Sequence, residues 1–122
     1  MKHCFVLDDS EIIRKYARLI FESLAFRVSD HSDPAAMFPR FASDCPDLVL
    51  LDWRIPGTNM HEVIVKLRAL CGPERPYILY MTSENDYADV QVAYKAGANG
   101  HLLKPFNQDI IKMKLQDIRM AA

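Results

Sequence analysis

The sequence predicts an α/β fold in which a parallel sheet is covered by helices on both faces. Two observations lead to this class: five short apolar segments alternate with longer segments of helical period, and three of those segments lack polar alternation. A strand without alternation is buried on both faces, as the strands of a parallel sheet are. Repeated strand–helix alternation implies right-handed crossovers, which place helices on both sides of the sheet.

The apolar segments are the predicted strands. The first, third and fourth are continuously apolar, the second alternates and is predicted to be an edge strand, and the fifth is weaker. In chain order they occupy residues 4–7, 26–28, 48–51, 77–81 and 100–103.

Between the strands lie amphipathic segments with helical spacing. The predicted apolar stripes are Ile12, Ile13, Tyr16, Leu19, Ile20 and Leu24; then Val63, Ile64, Leu67 and Leu70; then Ile111, Leu115 and Ile118. Capping residues mark where helices begin. They are Ser10 after Asp9, Asp33 before Pro34, Asn85 or Asp86, and Asn107.

Size and composition restrict the class of protein further. A chain of 122 residues fits one domain, and no linker or repeat divides it. The formal net charge of −1 argues against nucleic-acid binding, which usually needs a basic excess. No stretch approaches the roughly 20 apolar residues of a membrane span, and the amino terminus does not resemble a signal peptide. The sequence therefore predicts a cytoplasmic domain that binds neither nucleic acid nor membrane.

The cysteines fit the same prediction. Cys4, Cys45 and Cys71 are odd in number and far apart in the sequence, with no Cys-x-x-Cys pair and no zinc-finger spacing. We therefore expect free thiols in a reducing compartment.

Polar residues with a chemical role follow four of the five predicted strands. Asp8 and Asp9 follow the first strand, Asp52 the third, Thr82, Ser83 and Glu84 the fourth, and Lys104 with Pro105 the fifth. Ligands of open parallel sheets bind outside the carboxyl ends of the strands, so these side chains are expected to meet there. Crowded carboxylates repel one another unless a cation joins them, and Mg²⁺ prefers such oxygen ligands. The pattern predicts phosphoryl transfer to a carboxylate, with Mg²⁺ and Lys104 neutralising the developing charge.

These residues carry a resemblance to a known family. Asp8-Asp9-Ser10, Asp52 with Pro56, Thr82-Ser83, Ala96-Gly97-Ala98 before Gly100, and Lys104-Pro105-Phe106 resemble, in order and spacing, the receiver domains of two-component response regulators. The similarity is greatest to the single-domain chemotaxis type. It implies a flavodoxin-like (βα)5 fold with strand order 2-1-3-4-5, occupying residues 1–122 as a single receiver domain.

The resemblance assigns a role to each matching position. Asp52 would accept the phosphoryl group, and Lys104 would pair with the phosphoryl oxygens. Asp9, Asp52 and the backbone carbonyl of Arg54 would hold Mg²⁺, with Asp8 acting through bound water. Thr82 would follow the phosphoryl group as a switch together with position 101, and Ser83 would offer a backbone contact to the phosphate. The peptide bond before Pro105 would be cis, a geometry that proline makes accessible.

The implied function is a phosphorylation-activated signalling switch. A histidine kinase or phosphotransfer protein would donate the phosphoryl group, and the domain would catalyse its own phosphorylation and dephosphorylation without turning over a substrate. The face formed by the fourth helix, fifth strand and fifth helix would then bind a downstream protein, with the chain a monomer or a phosphorylation-dependent dimer. Two alternatives stay open: a constitutive docking module that is not phosphorylated, and an Mg²⁺-dependent phosphohydrolase. The hydrolase would need a second acid and a cap over the substrate.

Three features of the sequence depart from the family pattern. Thr58-Asn59-Met60 replaces the usual Met-Asp-Gly, and we expect Asn59 to cap the next helix. His101 replaces the usual aromatic switch residue, which leads to the hypothesis that output is mildly pH-sensitive. Arg54 and Glu84 lie two residues after the acceptor and after the threonine. We expect them to pair across the site and to slow phosphoryl loss.

Overall fold

A computed structural model describes residues 1–41, 44–83 and 87–120. Five strands and five helices alternate along the described chain: β1 (His3–Leu7), α1 (Glu11–Ser23), β2 (Arg27–His31), α2 (Pro34–Phe41), β3 (Leu48–Asp52), α3 (Met60–Cys71), β4 (Tyr77–Thr82), α4 (Tyr87–Ala96), β5 (Gly100–Leu103) and α5 (Gln108–Asp117). Among these described helices, none has the length and apolar character needed to cross a membrane.

The strands form one parallel sheet in the order β2-β1-β3-β4-β5. Both the fold class and the strand order predicted from the sequence are confirmed, and β2 is an edge strand as expected. Because every strand runs in the same direction, the residues that follow β1, β3, β4 and β5 meet at one edge of the sheet.

Two apolar cores cover the two faces of the sheet. α1 and α5 pack on one face through residues such as Phe21 and Leu115. α2, α3 and α4 pack on the other, with Met37, Ile64 and Ala93 among the residues that pack there. β1 and β3 are buried along their whole length, which explains their continuous apolar sequence.

Side-chain caps begin the helices at the predicted positions. Ser10 Oγ accepts from the Ile13 amide at 3.3 Å, and Asp33 Oδ1 accepts from the Ala36 amide at 2.9 Å. Asn59 caps α3 and Asn107 caps α5 in the same way. These predictions are confirmed. The remaining candidates, Asn85 and Asp86, lie outside the described residues.

The predicted apolar face of α1 was partly wrong. Ile12 and Leu19 are 78% and 70% exposed, whereas Ala17 and Phe21 are buried. The buried face is rotated toward Ala17, whose small side chain packs in the core beside the sheet, and the sequence pattern gave Ala17 no weight. Leu70 of α3, which was also assigned to a buried stripe, is 47% exposed.

The expectation of three free thiols was also wrong. Cys45 and Cys71 form a disulfide with a Cα–Cα distance of 5.9 Å, and Cys4 is a buried free cysteine. The crossover through α3 returns the chain to the edge where β3 begins. Cysteines 26 residues apart in sequence therefore become neighbours.

The environment of His3 predicts a loss of stability in acid. His3 Nε2 lies 2.9 Å from Ser29 Oγ, and Arg27 Nη2 lies 3.2 Å from Nδ1. Burial, and then the charge of Arg27, lower the His3 pKa below its ordinary value of 6.5. Below pH 6.5 the unfolded chain therefore takes up the proton more readily than the folded protein, so unfolding becomes easier.

Relative to His3→Gln, we expect the wild-type protein to lose free energy of unfolding between pH 7.5 and pH 5.5, because only the wild type carries the His3 contribution. Urea unfolding at both pH values measures this difference. His61→Gln, which changes an exposed histidine of α3, is the matched control and should retain the wild-type loss. An unchanged loss in His3→Gln would contradict the assignment to His3.

Candidate functional site

The sheet brings four of the predicted site residues to one edge. Asp8 follows β1, Asp52 ends β3, Thr82 ends β4 and Lys104 follows β5. Backbone hydrogen bonds continue the sheet pairing around these positions. The Asp8 amide donates to the His31 carbonyl at 3.1 Å, and the Lys104 amide donates to the Thr82 carbonyl at 2.8 Å. Backbone pairing in the sheet therefore fixes the positions from which these side chains project.

Three carboxylates form a compact acidic cluster. Asp8, Asp9 and Asp52 each offer an oxygen atom, and these atoms all lie within 4.8 Å of one another. Asp8 is fully buried and Asp52 is 7% exposed, whereas Asp9 is exposed. Converging carboxylate oxygens are ligands for a hard divalent cation. This cluster could bind a metal ion.

Lys104 lies against the cluster. Its Nζ is 2.7 Å from Asp8 Oδ2 and 3.5 Å from Asp52 Oδ1. Backbone amides assist: the Ser10 amide donates to Asp8 Oδ1 at 2.9 Å, and the Arg54 amide donates to Asp52 Oδ1 at 3.3 Å. The ammonium group therefore contacts two carboxylates at once, beside the oxygen atoms of Asp52.

Burial and the neighbouring charges of the acidic cluster raise the pKa of Asp52. Burial first, and then the charge of Asp8, raise this pKa from 3.8 to about 6. The Lys104 ammonium and the Arg54 amide act in the opposite direction but do not cancel the increase. The site is therefore short of positive charge, and a cation bound to the three carboxylates would relieve the repulsion between them.

The loop after Asp52 keeps its turn despite the altered sequence. The Thr58 amide donates to the Ile55 carbonyl at 3.1 Å, and Gly57 has a φ of +73°. Pro56 followed by a glycine in this conformation is typical of a β-turn. This role of Gly57 was not predicted from the sequence, although the Pro56-Gly57 pair is a turn signal.

Arg54 bridges this loop to α4. Its Nη2 lies 3.4 Å from Asp89 Oδ2, in the first turn of α4. The expected pairing with Glu84 lies outside the described residues. Asp89 was not singled out from the sequence, because only the packing of α4 beside the loop brings it within reach of Arg54.

Arg14 is a third residue beside the site that was not singled out from the sequence. Its Nη1 donates to the Asp8 carbonyl at 2.8 Å, and its Nε lies 3.3 Å from Asp30 Oδ2. Arg14 therefore ties α1 to the ends of β1 and β2 directly beneath the acidic cluster. The sequence signal that could have indicated this role was an arginine four residues after the capping residue Ser10.

His101, one of the two predicted switch residues, lies in a group of rings that we call the aromatic cluster: Trp53, Tyr80, Tyr94 and His101. Tyr80 is fully buried, with its ring centroid 5.3 Å from Trp53 and 5.6 Å from His101. Tyr94 Oη and His101 Nδ1 are 3.2 Å apart. Thr82, 4% exposed, lies two residues after Tyr80 on β4, so the site and the aromatic cluster share a strand.

Two further predicted residues have clear positions. Ser83 directly follows β4 and is exposed at the edge of the site. The peptide bond between Lys104 and Pro105 is cis, the geometry that the resemblance implied.

Comparison with known proteins identifies the family. The family model described as "Response regulator receiver domain" matches residues 4–116. A chemotaxis protein CheY homolog from Campylobacter jejuni is 37% identical over 71 residues, which cover 58% of this chain and 55% of the relative. The match therefore spans about half the length of that relative.

Solved structures share the fold. Chemotaxis protein CheY4 of Vibrio cholerae superposes with a TM-score of 0.89 at 24% identity, covering 97% of this chain and 98% of that one. The receiver domain of a Pseudomonas aeruginosa sensor histidine kinase, described with a magnesium ion coordinated in its active-site cleft, has a TM-score of 0.82 at 22% identity. It covers 95% of each chain. With the family model matching nearly the whole sequence, this chain belongs to the response-regulator receiver domains.

Proposed function

We propose that this receiver domain is a phosphorylation-activated switch that accepts a phosphoryl group on Asp52. The observation that carries the proposal is the placement of Asp52: nearly buried, beside Asp8 and Asp9, with Lys104 Nζ 3.5 Å from its Oδ1. A nearly buried carboxylate that lies beside an ammonium group suits phosphoryl transfer better than a structural role.

The chemistry follows from these groups. An oxygen atom of Asp52 attacks phosphorus, and the bond from phosphorus to the donor's leaving group breaks, with the electron pair staying on the leaving group. The Lys104 ammonium lies where negative charge on the transferred group would accumulate, because it already contacts Asp52. The domain would thus promote its own phosphorylation, and later hydrolysis, without acting on a separate substrate.

Mg²⁺ is the proposed cofactor. Asp9, Asp52 and the Arg54 backbone carbonyl would hold it, with Asp8 acting through bound water. The compact acidic cluster and the raised pKa of Asp52 support this assignment. So does the magnesium ion in the similarly folded Pseudomonas receiver domain. Bound Mg²⁺ would supply positive charge to the phosphoryl oxygens, the usual role of the ion in such transfers.

The proposed output is a change of the face formed by α4, β5 and α5. Thr82 would move toward the phosphoryl group, Ser83 would offer its backbone to the phosphate, and His101 would repack against Tyr80. A groove of about 530 Å³ between β5 and α5 supports the proposal, since exposed or partly exposed apolar and basic side chains line it. They include His101, Leu103, Ile110 and Lys114.

The phosphoryl donor would be a histidine kinase or phosphotransfer protein, the target an unidentified protein, and the location the cytoplasm. The domain would occupy residues 1–122 and act as a monomer or a phosphorylation-dependent dimer.

Arg54 is proposed to set the lifetime of the phosphoryl group. Its guanidinium pairs with Asp89 at 3.4 Å, and from there it would hinder the approach of water toward Asp52. Because an exposed ion pair contributes at most about 1 kcal/mol, we expect Arg54→Ala to lose its phosphoryl group up to about fivefold faster. Decay of the phosphorylated protein, followed by mass spectrometry, measures this rate.

Two variants separate the contributions. Asp89→Asn should share part of the acceleration if the pair matters, and Glu84→Ala tests the residue chosen from the sequence. Equal or slower decay in Arg54→Ala would refute the proposed role of Arg54.

His101 is proposed to make output mildly pH-sensitive. Its ring contacts Tyr80 and lies within hydrogen-bond distance of Tyr94 Oη, so protonation would change both contacts. We expect target or phosphodonor affinity to vary more between pH 6 and pH 8 in wild type than in His101→Phe. Identical pH profiles in wild type and His101→Phe would contradict the hypothesis that His101 makes output pH-sensitive.

The switch and its alternatives make different predictions for one experiment. Purified protein is incubated with acetyl phosphate, with and without Mg²⁺, and its intact mass is measured. A switch gains one phosphoryl group only with Mg²⁺, and Asp52→Ala gains none. A constitutive docking module gains none under either condition. A phosphohydrolase would consume a model phosphate ester over many turnovers, which the switch does not do.

A further inference from the structure

The Cys45–Cys71 pair lies far from the site described above. Cys45 precedes β3, which ends in Asp52, so the pair occupies the opposite end of that strand. Cys71 is the last residue of α3. The disulfide therefore joins the start of a central strand to the end of the helix that covers it.

Both cysteines lie where a small reagent can reach them. Each is partly exposed, while the rest of each residue packs against the core between the sheet and α3. Cys4, by contrast, is fully buried. The pair therefore differs from a cysteine that serves only as a core residue, because exposure controls reactivity toward other thiols and disulfides.

Neighbouring contacts hold the two segments in place independently of the disulfide. Arg75 Nη2 donates to the Cys45 carbonyl at 3.1 Å and lies 3.2 Å from Asp47 Oδ1. The Gly72 amide, just after Cys71, donates to the Arg68 carbonyl at 2.8 Å. The cysteines would thus stay close together when reduced, so that the bond can re-form.

The end of α3 is also tied to the loop before β5. Arg68 donates to the Gly97 carbonyl from Nε at 3.1 Å and from Nη2 at 2.8 Å, and it donates to the Pro76 carbonyl at 2.7 Å. These hydrogen bonds hold the end of α3 to the segments before β4 and β5 whether or not the disulfide is closed, and the disulfide adds the start of β3 as a third attachment.

We propose that Cys45 and Cys71 form a reversible thiol–disulfide site that sets how firmly the end of α3 is held to the start of β3. The oxidant class is a low-molecular-weight disulfide such as oxidised glutathione. One cysteine thiolate attacks it, forming a mixed disulfide and releasing one glutathione thiolate. The second cysteine thiolate then attacks the protein sulfur of that mixed disulfide, which releases the other. The protein loses two electrons and two protons, and two glutathione thiols form.

Alkylation counting tests the reversibility. The native protein is equilibrated in glutathione buffers of different ratio, quenched in acid, unfolded and treated with a maleimide, and its intact mass is measured. The chain has three cysteines, so the reduced form gains three adducts and the oxidised form gains one, on Cys4. We expect conversion between three adducts and one as the buffer becomes oxidising, and back again with excess thiol.

Thermal unfolding tests the structural consequence. Closing a loop of this length restricts the unfolded chain, so we expect the oxidised protein to melt on the order of 10 °C above the reduced one. Cys45→Ser and Cys71→Ser should each melt at one temperature in both buffers. On reduction, hydrogen exchange should quicken more in the last turn of α3 than in α1.

Several results would overturn the proposal. They are three adducts in every buffer, one adduct that persists in excess thiol under native conditions, or a redox-dependent melting temperature retained in Cys45→Ser. The site lies outside the phosphorylation chemistry, so these results do not depend on whether Asp52 is phosphorylated.

Discussion

Lys104→Gln is expected to slow phosphorylation of Asp52 by about 10²-fold, the usual effect of removing one preorganised charge-stabilising donor. The ammonium group contacts Asp8 and Asp52 at 2.7 and 3.5 Å, so it is already in place before the donor arrives. Glutamine retains a hydrogen-bond donor, on a side chain one bond shorter, but loses the charge. The rate of acetyl phosphate labelling at saturating Mg²⁺ measures the effect.

Lys114→Gln is the matched control for this experiment. Lys114 is a lysine of α5 that lines the neighbouring groove, and its substitution changes the net charge of the protein equally. The control should label at the wild-type rate. A Lys104→Gln rate within a few-fold of wild type would show that the ammonium group does not stabilise the transferred phosphoryl group.

Asp52→Asn is expected to stabilise the protein in the absence of divalent cations, by on the order of 2 kcal/mol at pH 7. Burial and the charge of Asp8 raise the Asp52 pKa to about 6, so the ionised form is disfavoured in the folded state. For a carboxyl group shifted upward, the resulting penalty is absent below its ordinary value of 3.8, grows up to about 6 and is constant above that. The advantage of asparagine should therefore shrink as the pH falls from 7 to 5.

Mg²⁺ should reverse the order of stability. At a concentration 100 times its dissociation constant, a ligand that binds only the folded state adds about 2.7 kcal/mol. Wild type should gain this stabilisation, whereas Asp52→Asn should gain little. Urea unfolding in chelator and in Mg²⁺ measures both effects. A variant less stable than wild type in chelator would contradict the proposed repulsion within the acidic cluster.

The parts of the fold that the sequence predicted are those where one signal dominates. Residues 4–7 of β1 and 48–51 of β3 are buried, so no polar residue interrupts these segments and their type is unambiguous. Ser10 and Asn107 bond locally to amides three residues away, so short-range sequence suffices to place them. The acidic cluster was predictable because parallel strands deliver their carboxyl ends to one edge.

The structural features that were not predicted from the sequence depend on packing between distant segments. The face of α1 was misjudged because Ala17 carries little apolar surface yet lies against the core. Cys45 and Cys71 meet only because α3 doubles back along the sheet. Asp89 reaches Arg54 only because α4 lies beside the loop after β3. None of these contacts has a local sequence signature.

The most direct test of the central claim is to locate the phosphoryl group. Borohydride reduces an aspartyl phosphate to homoserine, which changes the mass of the residue permanently and allows tandem mass spectrometry to place it. After treatment with acetyl phosphate and Mg²⁺, we predict homoserine at position 52 and nowhere else, with none formed in Mg²⁺-free samples. Homoserine at Asp8 or Asp9 instead, or none at position 52 despite a phosphoryl adduct, would contradict the assignment of Asp52 as the acceptor.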